Sequence, residues 1–368
     1  MIRRALALPL VVWPGLATGA PSASGSLRAS VGAEIDTNAR REIEAPIVTD
    51  GLLRVVVDAV GRVDLGHGWS VSGQLLAGVK RFVEESSEDQ WAQFSRLQLT
   101  KTIGPVTIGP SGAFRISRVR RGVRDYTLLR ARLNAEAELG GGRLAGLWYG
   151  WEAYQFEPEP RFSYAGPSGG LFLRQRLGDP LLLTGWFEIY QRAYDGPILV
   201  ADAAEPARIF CQPTDARPCL LRRDSEFRVG AQLRYEGPLL AVVSYQIARQ
   251  RSNSEPPLED VVRHRVSGLA TASLPLGLLL SVQAALQVFD GDTPTGQLLL
   301  GDEDEDRNNV QVQLRRAIWG EVSVEARYAH YANQLGGGSD LDFSRHTVFL
   351  GLSLRTEGRT VDDRGVGR

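Results

Sequence analysis

Hydrophobic and polar residues alternate along most of the chain. Between Leu27 and Asp36 the odd positions hold Leu, Ala, Val, Ala and Ile, whereas the even positions hold Arg, Ser, Gly, Glu and Asp. A period of two indicates a β-strand whose two faces meet different surroundings. The same alternation recurs between Leu53 and Asp64 and between Trp69 and Lys80. The chain therefore begins with three predicted two-faced strands.

Thirteen further runs follow towards the C-terminus and bring the predicted number of strands to sixteen, although fourteen or eighteen also fit. These runs lie at 91–103, 106–117, 126–139, 143–156, 170–177, 181–193, 225–235, 239–249, 261–274, 278–288, 309–318, 321–332 and 344–355. Taken alone, the run at 126–139 also fits an amphipathic helix, and the run at 91–103 alternates poorly. Their agreement with the other segments favours strands throughout.

The connectors between the runs are alternately short and long. Short ones such as "LGHG" at 65–68 and "PLG" at 275–277 hold tight-turn residues, and long ones such as 157–169 are polar. Short turns on one rim and long loops on the other are typical of outer-membrane barrels. We therefore predict an all-β fold, a transmembrane antiparallel up-and-down β-barrel over residues 26–356, followed by a C-terminal tail at 357–368.

An uncharged stretch from Val266 to Phe289 is long enough for a transmembrane helix. However, Pro275 and Gly277 stand at its centre, and polar residues alternate with apolar ones on both sides of them. A hairpin that turns at these residues explains the pattern, so we predict two strands here.

Residues 1–23 have the three parts of a secretory signal peptide. Arg3 and Arg4 precede an apolar run, and small residues follow, with the cleavage site expected between Gly19 and Gly25. We therefore predict export to the outer membrane of a Gram-negative cell, with a secreted soluble β protein as the alternative. In an oxidising compartment, Cys211 and Cys219 are expected to close a nine-residue loop with a disulfide bond.

The composition excludes some classes of protein. The chain is 43% hydrophobic and 23% charged with a net charge of −1, which argues against disorder and against nucleic-acid binding. The acidic run "GDEDED" at 301–306 offers oxygen ligands but lacks the ligand spacing of a calcium loop, so we interpret it as a solvated surface loop. No metal site or cofactor is predicted.

Aromatic residues are expected to form an interfacial belt on the apolar face. The candidates for this belt are Trp69, Tyr126, Tyr149, Trp151, Phe187, Tyr235, Tyr245 and Tyr328.

With these features, the chain resembles the Gram-negative outer-membrane β-barrel proteins of the porin kind. The last strand, "RHTVFLGLSLR" (Arg345 to Arg355), looks like the C-terminal signal of that group, although it lacks a terminal aromatic residue and thirteen residues follow it. The resemblance implies as partners the barrel assembly machinery, outer-membrane lipid and lipopolysaccharide. The first strand, "GAEIDTN" (Gly32 to Asn38), is also similar to that of the surface lipoprotein assembly modifier barrels. Those proteins carry a helical-repeat domain before the barrel, so their activity is not transferred.

The face opposite the apolar one is expected to line the interior. By this reading it holds eighteen cations, namely Arg28, Arg54, Arg62, Lys80, Arg96, Arg115, Arg130, Arg132, Arg174, Arg176, Arg192, Arg228, Arg234, Arg263, Arg265, Arg315, Arg327 and Arg345. It holds ten acids, namely Glu34, Asp36, Asp58, Asp64, Glu136, Glu138, Glu152, Glu188, Glu226 and Glu325. An excess of cations along a hydrated path favours anions. The alternative is that Arg and Glu on neighbouring strands form ladders that stiffen the wall, and both roles are compatible.

These patterns favour a passive channel for small hydrophilic, anionic solutes, with no enzymatic activity. The residues expected to set its selectivity are Arg54, Arg115, Arg130, Arg132, Arg174, Arg176, Arg228, Arg263, Arg265, Arg315 and Arg327. The four histidines, His67, His264, His330 and His346, match no nucleophile motif. The rival hypothesis is a non-channel barrel for surface display, adhesion or the export and assembly of surface proteins, blocked by side chains or by the loop at 195–223. The solute and the oligomeric state stay open.

Overall fold

The computed structural model describes residues 22–40, 47–122, 124–198, 220–253, 261–290, 308–333 and 343–358. Within these ranges the chain forms sixteen β-strands. They are β1 (Ser22–Asp36), β2 (Asp50–Gly66), β3 (Trp69–Phe82), β4 (Gln90–Ile103), β5 (Val106–Val119), β6 (Tyr126–Gly140), β7 (Arg143–Phe156), β8 (Tyr164–Gly178), β9 (Leu181–Ile198), β10 (Leu220–Glu236), β11 (Leu239–Ser252), β12 (Val261–Leu274), β13 (Leu278–Asp290), β14 (Asn308–Trp319), β15 (Val322–Asn333) and β16 (Phe343–Gly358).

The strands close into a single barrel. Each strand pairs antiparallel with its neighbours in sequence, and β1 pairs with β16 in a register that sets Ala33 opposite Leu350. Closure removes both free edges, so backbone groups in the sheet find partners without water. The predicted all-β, sixteen-stranded up-and-down barrel is confirmed.

The two faces of the sheet differ as the alternation predicts. On β1, Ile35 is 55% exposed on the outside, whereas its neighbours Glu34 and Asp36 are almost completely buried on the inside. Large apolar side chains are exposed in the same way around the whole barrel. A soluble β-sandwich would bury them, so the apolar outer surface is the face that meets lipid.

The hairpin predicted within the uncharged stretch is confirmed. A single turn of 3₁₀ helix at Pro275–Gly277 joins β12 to β13, and both Leu276 and Gly277 have positive φ. Among the residues that the structure describes, no helix is long and apolar enough to cross a membrane.

Several strands extend beyond the predicted runs. Strand β8 begins at Tyr164, six residues before the predicted run at 170–177. The added segment contains Pro167, which has no N–H to donate, and the pairing between β8 and β9 skips this residue. Its Gly and Pro content is typical of a loop, but pairing with β7 extends the strand through it.

Strands β9 and β10 also lengthen at the expense of the predicted loop at 195–223. The remaining loop, with Cys211 and Cys219, lies outside the described residues, so the disulfide stays a prediction. The acidic run at 301–306 and most of the predicted signal peptide also lie outside them. Strand β1 begins at Ser22, four residues before the predicted start of the barrel, and β16 ends at Gly358, two residues past its predicted end.

Glycine makes room for aromatic rings on the inner face. Trp186 on β9 lies directly opposite Gly230 on β10. A Cβ atom added at Gly230 would lie 2.2 Å from Cζ2 of Trp186. The ring therefore covers the glycine backbone, an arrangement that stabilises glycine within a sheet.

We expect Gly230→Ala to displace the Trp186 ring and to lower the free energy of unfolding by about 1–3 kcal/mol, the usual cost of overpacking. Urea titration of the protein refolded into lipid vesicles measures this change. The matched control is Gly185→Ala on β9, where the nearest atom to an added Cβ is 3.9 Å away. Equal unfolding midpoints for the two variants would contradict the proposed packing.

Candidate solute pathway

The inner face of the barrel carries the charged positions that the alternation predicts. In the strand register Arg130 lies opposite Glu152, and Arg315 lies opposite Glu325. Followed from strand to strand, the register places all eighteen predicted cations and all ten predicted acids on this face. The sequence analysis missed Asp50, Arg222 and Asp224, because the predicted runs begin later than β2 and β10 do.

One buried carboxylate on this face binds three arginines. Glu226 on β10 has no exposed surface, and its Oε1 atom lies 2.5 Å from Nε of Arg228 and 2.6 Å from Nη2 of Arg263. Its Oε2 atom lies 2.6 Å from Nη1 of Arg192. These four residues, the Glu226 cluster, join β9, β10 and β12. Three guanidinium groups share this one carboxylate, while the acids Asp224 and Glu188 lie opposite Arg192 and Arg228 in the register.

A second shared carboxylate lies at the seam where the barrel closes. Glu34 on β1 forms ion pairs with Arg54 on β2 and with Arg327 on β15, the latter at 3.2 Å. The Arg327 guanidinium also stacks over the ring of Phe349, 4.8 Å from its centroid. Two cations again share one anion, and the ring holds one of them in place.

Arginines on β6 combine with aromatic residues. Nε of Arg130 donates to Oε2 of Glu152 at 2.6 Å, and the hydroxyl of Tyr164 donates to the other oxygen at 3.0 Å. The guanidinium of Arg132 lies 3.7 Å from the ring centroid of Trp148. A planar guanidinium over a ring keeps its charge while its apolar face is covered.

The predicted aromatic belt is wrong at one position. Tyr126 shares the parity of Arg130 on β6, and it therefore faces the interior. There its ring lies 5.6 Å from the guanidinium carbon of Arg115. The other seven belt residues have the parity of the outer face. Inside, Leu128, Tyr154, Phe156 and Tyr164 form a buried apolar group towards the long-loop rim that the sequence analysis did not anticipate.

The predicted selectivity residues do not form a single site. Arg176 donates to the carbonyl of Asp179 at the short turn after β8, whereas Arg263 lies near the start of β12 at the opposite rim. Arg174 lies 5.9 Å from the ring of Phe172, and Arg265 is flanked in the register by Gln246 and Gln287. The set therefore follows the wall from one rim to the other.

Part of the inner wall carries neutral polar side chains. The hydroxyls of Ser244 and Ser267 lie 2.6 Å apart across β11 and β12, and those of Thr271 and Ser281 lie 3.1 Å apart across β12 and β13. Such cross-strand pairs satisfy one another and add no charge. Arg263 and Arg265 near the long-loop end of β12 are the cations next to this neutral part of the described wall.

Two of the histidines lie on the outer face beside tyrosines. Nδ1 of His264 is 2.8 Å from the hydroxyl of Tyr245, and Nδ1 of His346 is 2.9 Å from that of Tyr328. Among the described residues, no group of three or more His, Cys, Asp or Glu side chains is arranged to hold a metal ion. The absence of enzymatic activity stays a prediction.

Fold and inner wall together define a class of protein. A closed antiparallel barrel of sixteen strands, apolar outside and charged within, is the architecture of porin-like outer-membrane β-barrels.

The chain is similar to several solved outer-membrane barrels, whereas no protein-family model and no curated protein matches it. OmpF of Salmonella typhi, in a complex with daunomycin, is 13% identical, with 90% of this chain and 97% of that chain covered and a TM-score of 0.47. An anion-selective porin from Comamonas acidovorans is 12% identical, with 91% and 100% covered and a TM-score of 0.45. OprD of Pseudomonas aeruginosa is 8% identical, with 92% and 94% covered and a TM-score of 0.44.

We expect Glu226→Gln to leave three largely covered guanidinium groups without their carboxylate and to lower the free energy of unfolding by about 3–5 kcal/mol. The control is Glu236→Gln, which removes a half-exposed partner of Arg234 and is expected to cost less than about 1 kcal/mol. Urea titration of both variants in lipid vesicles measures the difference. Similar losses in the two would show that the Glu226 cluster has no special role in stability.

Proposed function

We propose that this protein is an outer-membrane channel through which small hydrophilic anions diffuse passively. The observation that carries the proposal is the sharing of carboxylates on the inner wall, with three arginines bound to Glu226 and two to Glu34. The register places eighteen predicted cations and ten predicted acids on the inner face, so ion pairing does not neutralise the wall as a whole. A net positive wall around a hydrated path raises the local concentration of anions.

The two roles considered for the arginines support each other. Each shared carboxylate fixes its arginines in one geometry, which stiffens the wall as a ladder does. The charge of the carboxylate balances that of one arginine, and the other guanidinium groups bound to it still contribute positive potential. Selectivity in this proposal comes from electrostatic attraction, and no chemical bond is made or broken.

The width of the barrel favours a channel over a blocked interior. Barrels of sixteen to eighteen strands enclose an aqueous channel, whereas eight-stranded ones are filled by side chains. A cavity of about 500 Å³ opens along β2 to β6, so side chains do not fill the interior there. The rival function in display, adhesion or assembly requires a blocked interior, and the loop that would supply the block lies outside the described residues.

The cellular setting belongs to the same proposal. We place the barrel in the Gram-negative outer membrane, delivered by a cleaved signal peptide and inserted by the barrel assembly machinery. The apolar outer face and its aromatic residues support contact with outer-membrane lipid and lipopolysaccharide.

Planar-bilayer recordings test the channel. Purified protein under a potassium chloride gradient is expected to give discrete conductance steps. The reversal potential is expected to have the sign that shows chloride to be more permeant than potassium. In the double variant Arg115→Gln, Arg132→Gln, we expect the ratio of chloride to potassium permeability to fall by about twofold or more, since two cations leave the inner wall. The control Arg316→Gln removes a cation from the outer face and is expected to preserve the ratio.

The recordings have two outcomes that contradict the proposal. Absence of conductance steps in folded protein, checked by its heat-modifiable migration on gels, would overturn the channel. Potassium preference, or an unchanged permeability ratio in the double variant, would overturn the role of the arginines.

A further inference from the structure

Three apolar side chains on neighbouring strands face the interior together. Val56 on β2, Leu76 on β3 and Phe94 on β4 occupy inward strand positions, and Leu76 lies directly opposite Phe94 in the register. Leu76 is 40% exposed, and its exposed surface meets the interior and not lipid. Apolar surface in contact with water is unfavourable and gains free energy when another apolar group covers it.

A recess in the wall lies beside these residues. Gly78 and Ala92 lie opposite one another on β3 and β4. Ala113 on β5, opposite Arg96, is a third small residue in the lining, so larger side chains are absent at these three positions. The resulting cavity has a volume of about 500 Å³. This volume falls within the range of roughly 300–1,000 Å³ that is usual for small-molecule sites.

Arginines surround the cavity. Its described lining includes Arg54, Arg115, Arg130 and Arg327, and it includes no acidic residue. Arg54 and Arg327 share Glu34 behind the lining, and Arg130 binds Glu152. A third acid, Asp58, lies opposite Leu76 in the register, outside the lining. Four lining cations against these three acids leave an excess of positive charge beside the apolar floor formed by Val56, Leu76 and Phe94. Guanidinium groups suit carboxylates in particular, because their paired N–H groups match the two oxygens.

We infer that this cavity binds organic monocarboxylates with an aromatic or branched hydrocarbon body as they pass through the barrel. The carboxylate lies at the arginines, and the body covers Leu76 and Phe94. A small polar anion would leave the floor in contact with water, and a neutral hydrocarbon would gain nothing from the positive charge of the arginines. The inference rests on the proposed channel and narrows its class of solute.

Block of chloride current by added solutes tests the site. The three probes are 3-phenylpropanoate, gluconate as a polar monoanion, and 3-phenylpropanamide as a neutral analogue. We expect 3-phenylpropanoate to interrupt the current at a concentration about tenfold lower than either of the others, since it alone uses both the floor and the arginines.

A matched pair of variants locates the block. Leu76→Asn makes the floor polar and is expected to raise the half-blocking concentration of 3-phenylpropanoate about fivefold or more. The control is Leu269→Asn, which makes the same change on the inner face of β12, away from the cavity, at a leucine of similar exposure, 36%. Leu76→Ala serves as a second variant, with a smaller expected effect, should the asparagine prevent folding.

The outcomes separate this site from the channel itself. Chloride current without preferential block by 3-phenylpropanoate, or equal effects of Leu76→Asn and Leu269→Asn, would overturn the site and leave the channel intact. Absence of current in every form would overturn the proposed function. In that case the site is tested by calorimetric titration of 3-phenylpropanoate into vesicles that contain the protein. Binding that Leu76→Asn weakens would support the site, and absence of binding would overturn it.

Discussion

The structure depends on the pairing of every strand on both sides, because the bilayer core offers no water to an unpaired N–H or C=O group. At the seam that requirement is met by β1 and β16, which pair from Gly25 opposite Gly358 to Asp36 opposite Thr347. The two strands approach closely at Gly32, where a Cβ atom would lie 2.4 Å from the carbonyl oxygen of Leu350. Glycine at this position allows the seam to close.

Closure gives each face of the sheet a separate environment and brings distant side chains together on the concave one. Arg263 on β12 reaches Glu226 on β10 across the intervening strand β11. Arg327 on β15 reaches Glu34 on β1 in the same way, across β16. Because inward side chains converge, one carboxylate can hold several arginines, and the same groups that stiffen the wall leave it positive.

Much of this arrangement was predictable because it is local. The period of two identified sixteen strands, and "PLG" before Leu278 identified the hairpin within the uncharged stretch. The errors are local as well. The inward position of Tyr126 follows from the parity of Arg130, but aromatic residues were assigned to the lipid face as a group. On β2, the apolar residues at odd positions face outward, but Val56 at an even position is also apolar. It faces inward and belongs to the floor of the cavity.

The sequence by itself determined the strands, their two faces and the sign of charge on the inner one, since alternation needs only neighbouring residues. Only the tertiary structure decided which arginines share a carboxylate and where the wall recedes into a cavity. Arg327 and Glu34 stand 293 positions apart in the chain. Contacts of that kind depend on the strand register and on the curvature of the closed sheet, and no local pattern of residues encodes them.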